Sequence, residues 1–221
     1  MIRERVISLS QQNQRINAIK FYYEKVLGRV KEFYDIERPR RERKLPTVLS
    51  KEEVKLMLDN TDNLKHKCIL TTIYSGGLRR SELIELKVKD IDSSRKLIKI
   101  RNAKGKKDRY TILSGTLVKL LREYYKVYRP KEWLFEGQDG GQYSASSIEK
   151  IFHRAIHKAG IQKEVTPHSL RHSFATHLLE QGINLRYIQE ILGHESPKTT
   201  QIYTHVATHE IGNIKNPLDD L

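Results

Sequence analysis

The sequence has little cysteine and no long apolar run. Its 221 residues include one cysteine, Cys68, which excludes an internal disulfide and favours an intracellular, reducing setting. No apolar segment approaches the roughly 20 residues that cross a bilayer. The N-terminal stretch MIRERVISLS also lacks the long apolar core and the cleavage site of a secretory signal. We therefore expect a cytoplasmic protein with no membrane partner, and we interpret Cys68 as a core residue rather than a nucleophile.

Acidic residues are few relative to basic ones. The chain has 41 Lys and Arg against 27 Asp and Glu, which gives a formal net charge of +14. A basic excess of this size favours a polyanionic partner, although a soluble basic protein without such a partner can have the same composition. Hydrophobic residues make up 38%, which is low but sufficient for a core at this chain length.

The apolar periodicity predicts a mostly helical chain with a small antiparallel sheet. A first helix is predicted from Ser10 to Tyr34, and a capping box formed by Ser50 and Glu53 begins the next one. The stretch RKLIKIRNAKGKKDRYTIL alternates on both sides of AKGKKD, which predicts a β-hairpin. Further helices are predicted at 64–74, in LRRSELIEL, and at 116–128, 146–159, 167–181, 185–192 and 197–206.

The composition changes sharply after the first predicted helix. One isolated helix cannot form a core, so we interpret residues 1–36 as the last helix of a truncated helical domain. Residues 37–46, ERPRRERKLP, combine prolines and charges and predict an extended basic linker. Residues 47–221 then form a larger domain that ends in a tail.

The stretch TPHSLRHSFATH contains three histidines and one arginine. His168 and His172 have the four-residue spacing of a zinc-binding helix, but Ser169 stands where a zinc protease needs its glutamate. Arg171 would also place a cation between the two ligands, so we predict no metal. Arg171 falls inside the apolar arc of the predicted helix and needs a partner, either a structural carboxylate or a ligand phosphate. The position of His168 in the first helical turn favours the phosphate.

Three further segments carry candidate residues whose roles are open when each is taken alone. In SGGLRRSEL, Arg79 follows a Gly-Gly break and Glu82 lies one turn later, as in many loop-to-helix junctions. Lys104 lies at a basic hairpin tip, which is either a solvated turn or a phosphate-contacting finger. The segment LGHESPKTTQIYTHV contains His194 and Tyr203, each of which alone suits packing or the surface.

Taken together and in this order, these four segments resemble the tyrosine recombinase (phage integrase) family. TPHSLRHSFATHLLEQG and LGHESPKTTQIYTHV are most similar to its Xer-type members, and the resemblance covers about Leu45 to Pro217. It implies a site-specific recombinase that cleaves and rejoins DNA through a 3′-phosphotyrosyl intermediate, with no cofactor, ATP or metal. The implied fold is mainly α with a small antiparallel β-sheet. It is a tyrosine-recombinase catalytic domain, the DNA breaking-rejoining enzyme fold, preceded by a remnant of a helical core-binding domain.

The resemblance also implies a role for each matching residue. Tyr203 is expected to attack the phosphate and His168 to take the tyrosine's proton. Lys104 is expected to protonate the leaving 5′-oxygen, and Glu82 to hold Arg79. The full expected catalytic set is Arg79, Lys104, His168, Arg171, His194 and Tyr203.

Double-stranded DNA and further copies of the chain are the implied partners. We expect tetramers on DNA, with the tail after Tyr203 docked in cis or exchanged between protomers, and a location at the nucleoid. Two alternatives stay open: a type IB topoisomerase-like nicking-closing enzyme, and a DNA-binding regulator that has lost catalysis. The residues expected to contact DNA are Arg80, Lys106, Lys107, Arg109, Arg40, Arg41 and Arg43.

Overall fold

The computed structural model describes residues 8–30, 45–103 and 107–206. The chain divides into two compact units, Met1–Lys44 and Leu45–Leu221. In the first unit, α1 spans Leu9–Phe21 and continues as a π-helical turn, Tyr22–Val26. The predicted continuation through Val30 is wrong, because Gly28 takes a φ of 61° that does not continue a helix.

The second unit is mostly helical, as predicted. The bounds of its helices lie within two residues of the predicted ones, except that the last predicted helix becomes a 3₁₀ turn after Gln201. In chain order its elements are α2 (Lys51–Asp59), α3 (Leu64–Gly76), α4 (Arg80–Ile84), a 3₁₀ turn (Val88–Asp90), β1 (Ile91–Asp92), β2 (Leu97–Ala103), β3 (Lys107–Ile112), α5 (Gly115–Tyr128), α6 (Ala145–Lys158), α7 (Pro167–Glu180), α8 (Leu185–Leu192), α9 (Pro197–Gln201) and a 3₁₀ turn (Ile202–His205).

The three strands form an antiparallel sheet in the order β1-β2-β3, which confirms the predicted hairpin. Ile98 pairs with Thr111 and Ile100 with Arg109, and the register shifts between Ile100 and Ala103. Ile98 and Ile100 are buried, so the face of the sheet that carries them packs on the helices. Their cross-strand partners Thr111 and Arg109 lie on the same face.

Helix α3 passes through the main core. Its central residues are almost fully buried, including Cys68 at 0% exposure. Burial raises the pKa of the Cys68 thiol to about 12, which agrees with a packing role for this cysteine. In the part of the chain that the structure describes, no helix is long and apolar enough to cross a membrane.

A second, smaller apolar cluster joins α7, α8 and the final 3₁₀ turn. Its buried members are Phe174, Ala175, Leu179, Ile188, Leu192 and Tyr203. The tyrosine is only 1% exposed, so it belongs to the packing of this cluster as fully as its aliphatic neighbours do. The cluster thereby holds the final 3₁₀ turn against α7.

Candidate active site

The site begins at the break between α3 and α4. Gly77 ends α3 with a left-handed φ of 59°, and a Cβ on it would lie 2.4 Å from Cδ1 of Phe174. Glycine is therefore needed both for the turn and for the close approach to α7. Arg79 follows, and its backbone N–H and its Nη1 donate to the two oxygens of Glu82 at 2.8 and 2.7 Å. The carboxylate one turn into α4 thus fixes the Arg79 guanidinium.

Glu82 is a buried carboxylate shared by three arginines. Besides Arg79, it accepts a hydrogen bond from Arg109 Nη2 at 2.7 Å, and Arg171 Nη1 lies 3.7 Å from the same oxygen. Three positive charges against one negative charge (3 − 1) leave two positive charges unbalanced. Because buried charges are costly without a counter-ion, this cluster is suited to an anionic ligand.

The Arg171 side chain is fully buried, as its place in the apolar arc predicts. Its Nη1 donates to the Gly77 carbonyl and its Nη2 to the Leu192 carbonyl, each at 2.6 Å. Its Nε has no hydrogen-bond partner among the described residues. Burial, followed by the charge of Arg79, lowers the pKa of Arg171 to about 9. The partners of Arg171 are thus mainly backbone carbonyls, and its Nε–H is left to donate to a ligand.

Arg109 lies inside the site, which corrects its expected place on the DNA-contacting surface. The residue is 9% exposed, and its Nε and Nη1 are buried without a partner in the described part of the chain. The reason is register: Arg109 stands opposite the buried Ile100 and shares its inward face. The sequence of β3 gives the opposite signal, because its apolar residues Tyr110 and Ile112 share the other face, where they are 49% and 39% exposed.

His194 is held directly beside Arg171. The preceding Gly193 has a φ of 65°, and a Cβ there would lie 2.5 Å from Cδ of Arg109. The His194 Nε2 lies 3.0 Å from Arg171 Nη2, and its Nδ1 lies 2.8 Å from Thr200 Oγ1. Because a guanidinium only donates, Nε2 accepts and the imidazole is neutral. Burial, followed by the charge of Arg171, lowers the pKa of His194 to about 3.

The Tyr203 hydroxyl contacts a histidine that differs from the expected one. Its Oη lies 3.1 Å from Nδ1 of His172, whereas the resemblance pointed to His168. The Tyr203 ring also stacks on His194, with centroids 6.4 Å apart and planes 16° apart. Burial raises the pKa of Tyr203, and the nearby charge of Arg171 partly opposes this effect.

His168 is the more exposed of the two histidines, His168 and His172, on α7. It is exposed in the first helical turn, and its ring meets that of His172 edge-on with centroids 4.5 Å apart. Partial desolvation, followed by the charges of Arg171 and Arg79, lowers the pKa of His168. Among residues 8–30, 45–103 and 107–206, no group of three His, Cys, Asp or Glu side chains could hold a metal ion.

The remaining predicted residues lie apart from this cluster or outside the described residues. Arg80 is exposed, and its Nη1 pairs with the Glu149 carboxylate. The backbone of Lys107 begins β3. Outside the described residues lie Lys104, Lys106, Arg40, Arg41, Arg43 and the tail from residue 207 onward.

Sequence relatives identify the family of this chain. Residues 47–210 match the phage integrase family. A putative integrase/recombinase, y4qK of Sinorhizobium fredii, is 44% identical over 182 residues, which cover 82% of this chain and 59% of the relative. The tyrosine recombinase XerA of Pyrococcus horikoshii is 37% identical over 213 residues, which cover 95% of this chain and 74% of XerA.

Solved structures show the same similarity. The crystal structure of XerA recombinase has a TM-score of 0.72 and 35% identity, covering 96% of this chain and 78% of that one. XerH recombinase bound to a palindromic difH substrate, in a post-cleavage complex, has a TM-score of 0.77 and 28% identity, covering 94% and 67%. The fold is thus that of a tyrosine recombinase catalytic domain. The chain belongs to the phage integrase family, and its matches include Xer-type members.

Proposed function

We propose that this chain is a site-specific recombinase that cleaves and rejoins double-stranded DNA through a covalent bond between Tyr203 and a 3′-phosphate. One observation carries the proposal: Arg79, Arg171, His194 and Tyr203 come from separate segments and form a continuous set of contacts. The two unbalanced positive charges around Glu82 can bind the negative phosphodiester that is cleaved. The net charge of +14 favours binding to the other phosphates of the duplex.

In the proposed reaction, Arg79 and Arg171 bind the non-bridging oxygens of the phosphate. Negative charge on these oxygens grows as the pentavalent state forms, and fixed guanidiniums stabilise it with charge-assisted hydrogen bonds. Donors that are already aimed at developing charge are usually the largest single catalytic contribution. His194 adds a donor when Arg171 gives up its contact with Nε2 and turns to the phosphate. The hydrogen then lies on Nε2, and the Thr200 hydroxyl donates to Nδ1.

The leaving 5′-oxygen needs a proton, and we assign this role to Lys104, which lies between the segments of β2 and β3 in the sequence. Since transesterification conserves the energy of the phosphodiester bond, the proposed mechanism uses no ATP, and the two arginines stabilise the charge for which other enzymes use a metal. His168 lies on the open side of the cluster, where it can contact the phosphate from the solvent side. Glu82 positions the arginines and does not touch the substrate in this scheme.

The same proposal extends to partners and organisation. The XerH relative was solved with a difH substrate, which supports a DNA duplex as the ligand here. We propose tetramers on DNA, with the tail after residue 206 docked in cis or exchanged between protomers, and a location at the nucleoid. We assign residues 1–36 to a helical core-binding domain, 37–46 to a basic linker and 47–221 to the catalytic domain.

The decisive experiment is covalent trapping on DNA. The protein is incubated with a pool of nicked duplexes with randomised centres, and adducts that survive denaturation are isolated and sequenced. We expect the wild type to form adducts on one class of sequence, and Tyr203→Phe to bind the same duplexes equally well without forming any. Adducts with Tyr203→Phe would refute the nucleophile assignment. Relaxation of a supercoiled plasmid bearing two recovered sites, without recombinant product, would favour the topoisomerase-like alternative.

A further inference from the structure

Arg109 is a buried cation with no direct part in the proposed reaction. It lies on β3 at 9% exposure, and its Nη2 donates to Glu82 at 2.7 Å. Its Nε and Nη1 are buried and have no hydrogen-bond partner among the described residues. Burial lowers the pKa of Arg109, and the charge of Glu82 only partly opposes this effect. The residue is therefore placed at a cost to stability, because it brings a third positive charge to a single carboxylate.

Arg109 completes the set of donors around the Glu82 carboxylate. Arg79 donates to Oε1 from Nη1 and to Oε2 from its backbone N–H, and Arg109 also donates to Oε2. Arg171 stays outside this set, because its Nη1 lies 3.7 Å from Oε2 and donates instead to the Gly77 carbonyl at 2.6 Å. Of the side chains that the structure describes, Arg171 is thus the one placed to take over this oxygen if Arg109 were absent.

The aliphatic part of Arg109 packs against the turn after α8. A Cβ on Gly193 would lie 2.5 Å from Cδ and 2.6 Å from Nε of Arg109, so the glycine leaves room for this side chain. The turn carries two groups of the site, the Leu192 carbonyl, which accepts from Arg171 Nη2, and His194. Arg109 thus lies between the carboxylate that could draw Arg171 away and the turn that holds it.

The strand fixes where this side chain lies. Thr111, two residues further on the same face, is 1% exposed and donates from Oγ1 to the Gly76 carbonyl at 2.8 Å. Arg109 itself stands opposite the buried Ile100 in the pairing of β2 with β3. Its guanidinium therefore reaches Glu82 from a paired strand and not from a loop, as suits a residue that positions others.

We propose that Arg109 is a positioning residue that occupies Glu82 and so keeps Arg171 free to bind the scissile phosphate. This inference rests on the proposed function and deepens it. Without Arg109, Arg171 Nη1 moves from 3.7 Å towards the 2.7 Å of the present ion pair and turns from the phosphate to the carboxylate. A displacement of about 1 Å at a group that binds the reacting atoms can lower a rate by about 100-fold.

The first test is Arg109→Met, which keeps much of the side-chain volume and removes the charge. Glu82 keeps Arg79 as its partner in this variant, and exchanging buried ionic side chains for apolar ones of similar volume is often neutral or stabilising. We therefore expect a Tm at or above that of the wild type and normal binding to a duplex recovered by covalent trapping. Adduct formation should be about 100-fold slower, and a rate within about threefold of the wild type would overturn the proposal.

The matched control is Arg101→Met. Arg101 lies on β2 in the same hairpin, and its partly exposed side chain pairs with Asp90 at 2.6 Å, away from the arginine cluster. This variant should form adducts at the wild-type rate. A loss as large as that of Arg109→Met would show that any arginine removed from the hairpin slows the reaction, which contradicts a specific role for Arg109.

Two modified substrates identify the group through which Arg109 acts. A methylphosphonate at the scissile position is neutral, because a methyl group replaces one non-bridging oxygen, so its reaction depends less on the phosphate-binding arginines. On this substrate, Arg109→Met should come within about threefold of the wild type. A defect as large as on the natural duplex would mark a structural residue and overturn the proposal. Rescue by a 5′-bridging phosphorothiolate, whose leaving group needs no proton, would also overturn it, because the defect would then lie at Lys104.

A double variant tests whether Arg109 acts by occupying the carboxylate. In a Glu82→Gln background the charge that would draw Arg171 is absent, so Arg109→Met should slow adduct formation by less than about threefold more. A further loss of about 100-fold in this background would contradict the proposal, because independent effects multiply. Absence of any wild-type adduct would instead refute the proposed function.

Discussion

Replacing Glu82 by glutamine tests whether one carboxylate holds the arginine cluster together. The change preserves volume but removes the counter-ion of Arg109, at 2.7 Å, and of Arg171, at 3.7 Å. Both arginines are buried, and removing one partner of a buried ion pair costs about 3–5 kcal/mol. For a chain of this size, 1 kcal/mol shifts Tm by about 2–4 °C, so we expect a decrease in Tm of about 6–20 °C.

The matched control is Glu149→Gln, which removes the carboxylate that pairs with Arg80. The Glu149 side chain is 37% exposed, and surface ion pairs contribute about 0–1 kcal/mol. Thermal unfolding of both variants and of the wild type by calorimetry gives the comparison. Added sulfate should raise the Tm of Glu82→Gln more than that of the wild type, because three guanidiniums are then unbalanced. Equal Tm losses in the two variants would show that Glu82 is not the counter-ion.

Two further predictions concern stability. The folded-state pKa values of His172 and His194, about 4 and about 3, lie below the unfolded value near 6.5, so the unfolded chain binds more protons as the pH falls. The free energy of unfolding should therefore decrease below about pH 6.5 by about 1.4 kcal/mol per pH unit for each histidine. Urea unfolding at a series of pH values measures this decrease. If His194→Gln kept the same dependence of the unfolding free energy on pH as the wild type, the prediction would be contradicted. Gly77→Ala should cost about 2–5 kcal/mol in the same assay, because it adds a left-handed alanine and a clash with Phe174. The control is Gly182→Ala, because Gly182 has a φ of 78° and nothing lies within 4 Å of the added Cβ. This variant should lose only the part of the unfolding free energy that comes from the left-handed conformation. Equal losses in the two variants would show that the clash with Phe174 does not contribute.

Most of the fold could be predicted from local signals. The capping box of Ser50 and Glu53 and the helix-ending Gly160 are properties of a few adjacent residues, and the structure has both. The first helix was predicted too long because apolar spacing continues past Gly28. In the described residues, Val26 and Val30 are 61% and 84% exposed, so their spacing does not mark a buried face.

The site could be predicted only in part. The glycines and the charged residues of each motif are visible in the sequence, but their contacts depend on how distant segments meet. His172 meets Tyr203 across 31 positions and Arg171 meets Gly77 across 94. Thr200, which holds His194, has no local signal of that role. Arg109 is a further case, because strand alternation groups it with Thr111 opposite the apolar Tyr110 and Ile112; only the pairing with the buried Ile100 places it inward.

The burial of Tyr203 has a consequence for its reactivity. A phenol on the surface could meet any passing phosphodiester, whereas this one is enclosed with Phe174 and Leu192 at 1% exposure. In this conformation a DNA backbone cannot touch the Tyr203 hydroxyl, so the packing of the final 3₁₀ turn on α7 protects the tyrosine from a phosphodiester for as long as it lasts.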